Sequence, residues 1–250
     1  MAQLSRAYLE DPGAKRIRVL IADDHPMMRE SLGLILEKQG DICLVGEAAN
    51  GAEAIAKTSE LHPDVILMDL QMPEMDGLEA IGILQKSHPH CRTIVLTTYP
   101  GDARAKRALA VGATAYLLKS ARTSEVLRAI RAAACGSSII DAEVARDIAR
   151  FRGAESLSPR EINVLQHVRR GMRNTEIARA LKISTETVKS RIKSALAKLG
   201  TRSRTQAVTV AMRRGFLEAD YPLSQSTLTA EAIRGMRVDA RGGKSQEVAS

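Results

Sequence analysis

The chain has 250 residues, 44% of them apolar, and a formal net charge of +8, which suits two ordinary domains with separate cores and a polyanionic partner. Three widely spaced cysteines, Cys43, Cys91 and Cys135, form no Cys-x-x-Cys pair, which argues against a disulfide framework or a thiolate zinc site and for a reducing compartment. The polar stretch Met1 to Arg16 has no apolar signal-like core, and no uncharged apolar run is long enough to span a bilayer, so a cytoplasmic protein without membrane contact is expected.

After the N-terminal extension of residues 1–16, four short apolar runs each stop at a reactive residue. Arg18-Val19-Leu20-Ile21-Ala22 leads into Asp23-Asp24, Asp64-Val65-Ile66-Leu67-Met68 into Asp69, Thr93-Ile94-Val95-Leu96 into Thr97, and Ala115-Tyr116-Leu117-Leu118 into Lys119. Runs without clean alternation read as strands buried on both faces, and the stretches between them are long enough for crossover helices. A doubly wound parallel α/β sheet is therefore expected, with the residues beyond its carboxyl ends gathered in one crevice.

Asp23, Asp24 and Asp69 crowded together would repel one another unless a cation sat among them. Oxygen ligands favour a hard ion, and Mg2+, which keeps several waters and shares phosphate oxygens, fits best. Lys119 could then meet a phosphoryl oxygen, Thr97 could donate a hydroxyl, and one carboxylate could act as a nucleophile toward phosphorus. Read one at a time, these residues have bland roles: an Asp-Asp turn or helix cap, a strand-end threonine, a core tyrosine, a solvated lysine. Their appearance at successive strand ends, with Met72-Pro73-x-x-Asp76-Gly77 in the loop after Asp69, is what speaks for chemistry.

Charge is unevenly divided along the chain. Residues 17–136 carry 13 Lys and Arg against 15 Asp and Glu, whereas residues 158–216 carry 14 against 3, a net of +11. Between them, the helix over Ser124 to Ala134 ends near Gly136-Ser137-Ser138, and residues 137–156 read as a linker, with an amphipathic helix over Ile139 to Phe151 and a joint at Arg152 to Ser156. Ser158-Pro159-Arg160-Glu161 is a helix start, with serine at the cap, proline in the first turn and glutamate placed to close a capping box. Ile162, Leu165 and Val168 give that helix an apolar face, and Gly171 ends it.

Asn174 is then expected to cap a second helix, Thr175 to Leu181, and Lys182-Ile183-Ser184 turns into a third, Thr185 to Leu199. Two helices joined by a tight turn form a helix-turn-helix unit whose second helix enters the major groove of double-stranded DNA. Val188, Ile192, Ala195, Leu196 and Leu199 share one face of it. Lys189, Ser190, Arg191 and Lys193 point elsewhere, with Lys189 and Lys193 able to reach either guanine edges or phosphates and Thr185, Thr187 and Arg191 better placed for phosphates. A fourth helix covers Ser203 to Gly215, with Val208 and Ala211 open to packing within the domain or, as the family resemblance given below implies, to pairing between chains. Residues 217–250 mix Ser, Gly, Gln and charges without apolar periodicity and read as a disordered tail.

Both halves resemble known families. Ile21-Ala22-Asp23-Asp24-His25-Pro26, Met68 to Gly77, Leu96-Thr97 and Gly112 to Lys119 resemble response-regulator receiver domains. That resemblance implies a five-stranded receiver with Asp69 as phosphoacceptor, Asp24 and the Gln71 backbone carbonyl as Mg2+ ligands, and Asp23 holding the metal or its water. It also makes Thr97 and Tyr116 a switch pair and gives Lys119 to the phosphoryl group. Ser120 stands where many receivers have proline. Tyr99, two residues past Thr97, is placed to shield an acyl phosphate from water.

Leu157 to Glu161, Asn174, Glu176-Ile177-Ala178, Thr187-Val188-Lys189, Lys198-Leu199-Gly200 and Arg204 resemble the LuxR-type domain of residues 157–216, with Arg191 where histidine is frequent. A receiver followed by this domain is the NarL/FixJ arrangement. It implies a transcription regulator that a sensor histidine kinase phosphorylates, that pairs as a homodimer when active, and that has RNA polymerase as a candidate partner. Two other classes compete. A phosphohydrolase would need an acid/base aspartate where Gln71 stands, and a ligand-sensing regulator working independently of phosphorylation would leave the phosphotransfer residues without a purpose.

Overall fold

The computed structural model describes residues 16–98 and 101–217; Tyr99, most of the N-terminal extension and residues 218–250 of the expected tail lie outside the described residues. The strands are β1 (Ile17–Ala22), β2 (Ile42–Ala48), β3 (Val65–Met68), β4 (Arg92–Thr97) and β5 (Ala115–Leu118). All pair in parallel, in the order β2-β1-β3-β4-β5. Strand order reverses between β1 and β3, which opens a crevice at their carboxyl ends.

Successive residues of each strand face opposite layers, as the two-residue period requires. Leu20, Ala22, Ile66, Met68, Val95, Tyr116 and Leu118 form a core with α2 (Gly51–Leu61), α3 (Gly77–Ser87) and α4 (Asp102–Ala110). Val19, Ile21, Val65, Leu67, Ile94, Leu96 and Leu117 form the other with α1 (Pro26–Glu37) and α5 (Thr123–Ala134). Every residue of β3 is buried, so a full Leu or Ile side chain there contributes about 1.5–3 kcal/mol. Helix starts follow local chemistry. Asn50 accepts the Glu53 amide, Asp76 accepts the Glu79 amide, and Pro26 occupies the first turn of α1.

The segment expected to be a linker helix packs onto the sheet instead of tethering two bodies. The Tyr116 amide donates to the Ile139 carbonyl at 3.0 Å and the Asp141 amide donates to the Tyr116 carbonyl at 2.8 Å, so the chain runs beside β5 before entering α6 (Ala142–Arg150). Val144 is fully buried in the first core, and Ile140 and Ile148 pack against it. β5 would otherwise be an open edge, and the apolar face of an amphipathic helix finds its partner there.

Residues 157–217 build α7 (Pro159–Arg169), α8 (Asn174–Ala180), α9 (Thr185–Leu199) and α10 (Arg204–Arg213). Gly171, just past α7, sits at φ +79°, a left-handed closure that glycine adopts freely. At α8 the sequence reading needs correction: Asn174 is the first helical residue, not the cap. Arg173 occupies the cap position, because its amide is taken by the Glu176 carboxylate at 2.6 Å. Ala211 is fully buried among Leu157, Leu165, Ala195, Ala207, Phe216 and Leu217, and Val208 packs between both clusters of this domain, so these positions serve internal packing. Leu217, assigned from sequence to the tail, is part of that core.

Glu161 fastens α7 to α9. Its carboxylate accepts from the Ser158 amide at 2.7 Å, Ser194 Oγ at 2.6 Å and Lys198 Nζ at 3.0 Å. Burial alone would raise its pKa, but the donors from Ser194, Ser158 and Lys198 outweigh it and hold the group at about 2. A depressed pKa means stability that is present above the unfolded value and lost as pH falls. The melting temperature of the helical domain should therefore drop between roughly pH 4.5 and pH 2. Thermal unfolding across that range checks this, and Glu161→Gln should flatten the dependence; an equally steep curve for the variant would contradict it.

Helix α4 meets the helical domain directly. The Arg214 guanidinium donates to both Asp102 carboxylate oxygens, at 3.0 and 3.1 Å, and stacks on the rings of Phe151 and Phe216 at 4.2 and 4.9 Å. The Ala103 amide donates to the Arg214 carbonyl, Arg107 donates to the Gly215 carbonyl, and the Ala103 side chain joins the α7/α10 core. Asp102 and Arg214 are both almost completely buried. A Cβ at Gly101 would lie 2.9 Å from the Arg214 backbone, so only glycine permits this approach.

Candidate functional site

Register explains how distant residues meet. Ala22 and Met68 are paired across β1 and β3, so Asp23 and Asp69, each one residue further, emerge side by side, and the Asp69 amide donates to the Ala22 carbonyl at 2.8 Å. Thr97 pairs with Leu118 across β4 and β5, and the Lys119 amide donates to the Thr97 carbonyl at 2.7 Å. Lys119 Nζ lies 2.6 Å from Asp23 Oδ2 and 2.8 Å from Asp69 Oδ2. Asp23, Asp24, His25 and Asp69 each offer a ligand atom within 4.8 Å of the others. Gln71 reaches the same place through its backbone, its amide donating to Asp69 Oδ1 at 3.3 Å. Thr97 and Tyr116 are fully buried behind the cluster.

Gly77 sets the height of the acceptor loop. Its amide donates to the Leu70 carbonyl, and a Cβ there would lie 2.1 Å from the Asp69 carbonyl oxygen, so any side chain would displace the residue that carries the carboxylate. The Met-Pro-x-x-Asp-Gly signal thus reduces to a cap at Asp76 and this close approach.

The electrostatics are those of a site built to hold more positive charge than it contains. Burial pushes the Asp69 carboxyl above its usual range and Asp23 adds to this, against the lowering pull of Lys119. Burial alone would lower the Lys119 ammonium, but the carboxylates of Asp23 and Asp69 outweigh it and keep the lysine charged. Burial holds the Tyr116 phenol at about 12, with Asp69 acting in the same sense against Arg104 and Arg107, so it stays neutral at physiological pH. Three carboxylates against one ammonium, with oxygen donors only a few ångströms apart, fit a hard divalent cation.

His25 was missed by reasoning from strand ends. Its Nδ1 lies 2.6 Å from Asp24 Oδ1 and 3.2 Å from Asp23 Oδ1, with most of the ring exposed. The available signal was its place as the third residue of the turn after β1, ahead of Pro26.

On the helical domain, Val188 and Ala195 of α9 are buried, and Ile192, Leu196 and Leu199 pack against the same clusters. Lys189, Ser190 and Lys193 are exposed along the opposite stripe, while Thr185, Thr187 and Arg191 are half-buried beside it. Lys189, Ser190 and Lys193 therefore lie on the solvent side of one helix, with the other three candidate DNA contacts flanking its packed face. Ser184 caps that helix by accepting the Thr187 amide at 3.1 Å.

A doubly wound parallel sheet with an acidic cluster and lysine at its switch point, followed by a basic helix-turn-helix domain, defines a signal-receiving regulator that acts on DNA. The comparisons agree: residues 19–131 match the response regulator receiver domain, and residues 155–211 match the bacterial regulatory proteins of the luxR family. The chain belongs to the two-component response regulators that join these two domains. It is 39% identical over 207 residues to the response regulator VraR of Staphylococcus aureus and 38% identical over 211 residues to the regulatory protein YdfI of Bacillus subtilis, in each case covering 81% of this chain and 99% of the relative. Among solved structures, RcsB of Salmonella enterica serovar Typhimurium, bound to a promoter in the presence of the phosphomimetic BeF3-, superposes with a TM-score of 0.62 at 29% identity, covering 78% of this chain and 98% of that one. No helix of the described residues is long and apolar enough to cross a membrane.

Proposed function

We propose that Asp69 accepts a phosphoryl group from a sensor histidine kinase in the cytoplasm and that the modified receiver controls sequence-specific DNA binding through α9. The observation that carries this is the grip of Lys119 on both Asp23 and Asp69 at the switch point of the sheet. In the transfer, a carboxylate oxygen of Asp69 attacks phosphorus, the bond from phosphorus to the donor nitrogen or oxygen breaks, and its electron pair leaves with the donor. Lys119 is placed to meet the charge on the arriving phosphoryl oxygens. Asp23, Asp24, Asp69 and the Gln71 carbonyl would hold Mg2+, which when bound neutralises phosphoryl charge.

Coupling to DNA would run through the contact between α4 and α10. Thr97 precedes Asp102 by five residues, so a Thr97 hydroxyl drawn toward a phosphoryl group would be felt at the start of α4, where Asp102 meets Arg214. Tyr116, joined by backbone hydrogen bonds to the stretch that leads into α6, ties the other flank of the interface to the same movement. Phosphorylation thus shifts the population from a clasped to a released DNA-binding domain. RcsB has been solved as dimers on DNA, which supports pairing of the released form. Ala211, buried in the core of its own domain, does not supply that pairing as it stands here, and Val208 is half-buried in internal packing.

Incubation with radiolabelled acetyl phosphate and Mg2+ tests the first half. The expected label is acyl phosphate, stable to mild acid and lost in alkali, and absent when Mg2+ is chelated. Label that survived alkali would lie on a group other than a carboxylate and refute the assignment.

A further inference from the structure

The DNA-facing stripe of α9 begins with an acid. Within residues 158–216, all of them described, the chain has three acidic side chains, Glu161, Glu176 and Glu186. Two serve folding: Glu161 closes the box on α7 and binds Lys198, and Glu176 accepts the Arg173 amide at the start of α8. Glu186 does neither. The cap of α9 is Ser184, and the Glu186 side chain, 80% exposed, reaches forward to Lys189, with Oε1 at 2.8 Å from Nζ.

Exposure along α9 follows one line: Glu186, Lys189, Ser190, Lys193 and Ala197 are exposed, at spacings of three and four that put them on one face. Glu186 heads that line in the first turn, the part of a recognition helix that contacts base edges. A carboxylate there cannot favour phosphate and lowers the local positive field. It does match one partner in the major groove, the N4 amino group of cytosine, whose neighbours across the base pair are the O6 and N7 acceptors that suit a lysine.

We infer that Glu186 is a specificity-determining residue that reads cytosine, and that with Lys189 it forms a donor–acceptor unit recognising a G·C pair in a fixed orientation. The exposed ion pair is screened by solvent and weak enough to open on the DNA, and away from DNA it holds the lysine head near the acid. The inference rests on the DNA-binding reading above and adds the base and the residue that reads it.

The test is selection of bound sequences by the full chain activated with beryllofluoride, run for the parent, Glu186→Gln and Glu186→Ala. The parent should enrich one position for cytosine. Both variants should lose discrimination there by about 5- to 100-fold, with the other positions unchanged, and glutamine should move the preference toward adenine. Identical base preferences with uniformly tighter binding would overturn the inference, since Glu186 would then only repel the backbone. Failure of the parent to enrich any sequence would overturn it together with the DNA-binding reading. Thermal unfolding of the variants should match the parent, as expected for so exposed a position; a large loss of stability would assign Glu186 to the fold and overturn the inference as well.

Discussion

Asp69→Asn should abolish phosphoryl transfer to the chain: no label from acetyl phosphate or from a kinase, where the parent labels to a stoichiometry approaching one. The amide keeps the shape of the side chain and its place beside the Gln71 amide but lacks a nucleophilic oxygen. The same variant should be at least as stable as the parent near neutral pH. Burial raises the pKa of Asp69, and a raised folded pKa means stability that is present below the unfolded value and lost as pH rises through the folded one. An ionised Asp69 therefore costs stability at neutral pH, and removing its charge relieves the crowding with Asp23. Denaturant unfolding at pH 7 measures this. Full labelling of the variant would show that another residue accepts the phosphoryl group, and a marked loss of stability would show that Lys119 depends on Asp69 more than Asp69 is burdened by its surroundings.

The second large effect is expected at the clasp. Arg214→Ala leaves Asp102 with Lys106, 3.1 Å away on its own helix, in place of a two-pronged guanidinium partner. Breaking a buried ion pair by removing one member costs about 3–5 kcal/mol, and here the stacking of the guanidinium on Phe151 and Phe216 is lost as well. Asp102→Asn should destabilise in the same sense. The double variant should fall well short of the sum, because both substitutions remove one interaction. If phosphorylation works by releasing α10 from α4, these variants should bind DNA without phosphorylation. Denaturant unfolding and DNA affinity of the unmodified proteins check the two halves, and a change below about 1 kcal/mol would mean the pair behaves as an open surface bridge.

The receiver sheet was legible because its information is local. Each strand is a short apolar run, and each reactive residue stands at the end of one or one position past it, so chain order and the parallel-sheet rule suffice to bring Asp23, Asp69, Thr97 and Lys119 together. The start of α7 was legible for the same reason: serine, proline and glutamate stand within four residues, and the reciprocal capping bonds between Ser158 and Glu161 are local. Much of what escaped was non-local. Nothing in Ile139 to Ile148 announces that this amphipathic stretch covers β5, because an apolar face does not name the surface it meets. Asn174 has a strong capping preference, yet the Glu176 carboxylate two residues on took the Arg173 amide and set the boundary one residue earlier. The Asp102–Arg214 pair joins residues 112 positions apart, and neither is unusual in sequence. His25 was hidden by its neighbours, two carboxylates that drew the reading to themselves.

DNA affinity of the same preparation before and after phosphorylation of Asp69 tests the central claim most directly, using a sequence obtained by selection and fluorescence anisotropy as the readout. Tighter binding after phosphorylation in the parent, no response in Asp69→Asn, and tight binding regardless of phosphate in Arg214→Ala is the pattern this structure predicts. Equal affinity of the parent with and without the phosphoryl group would contradict it.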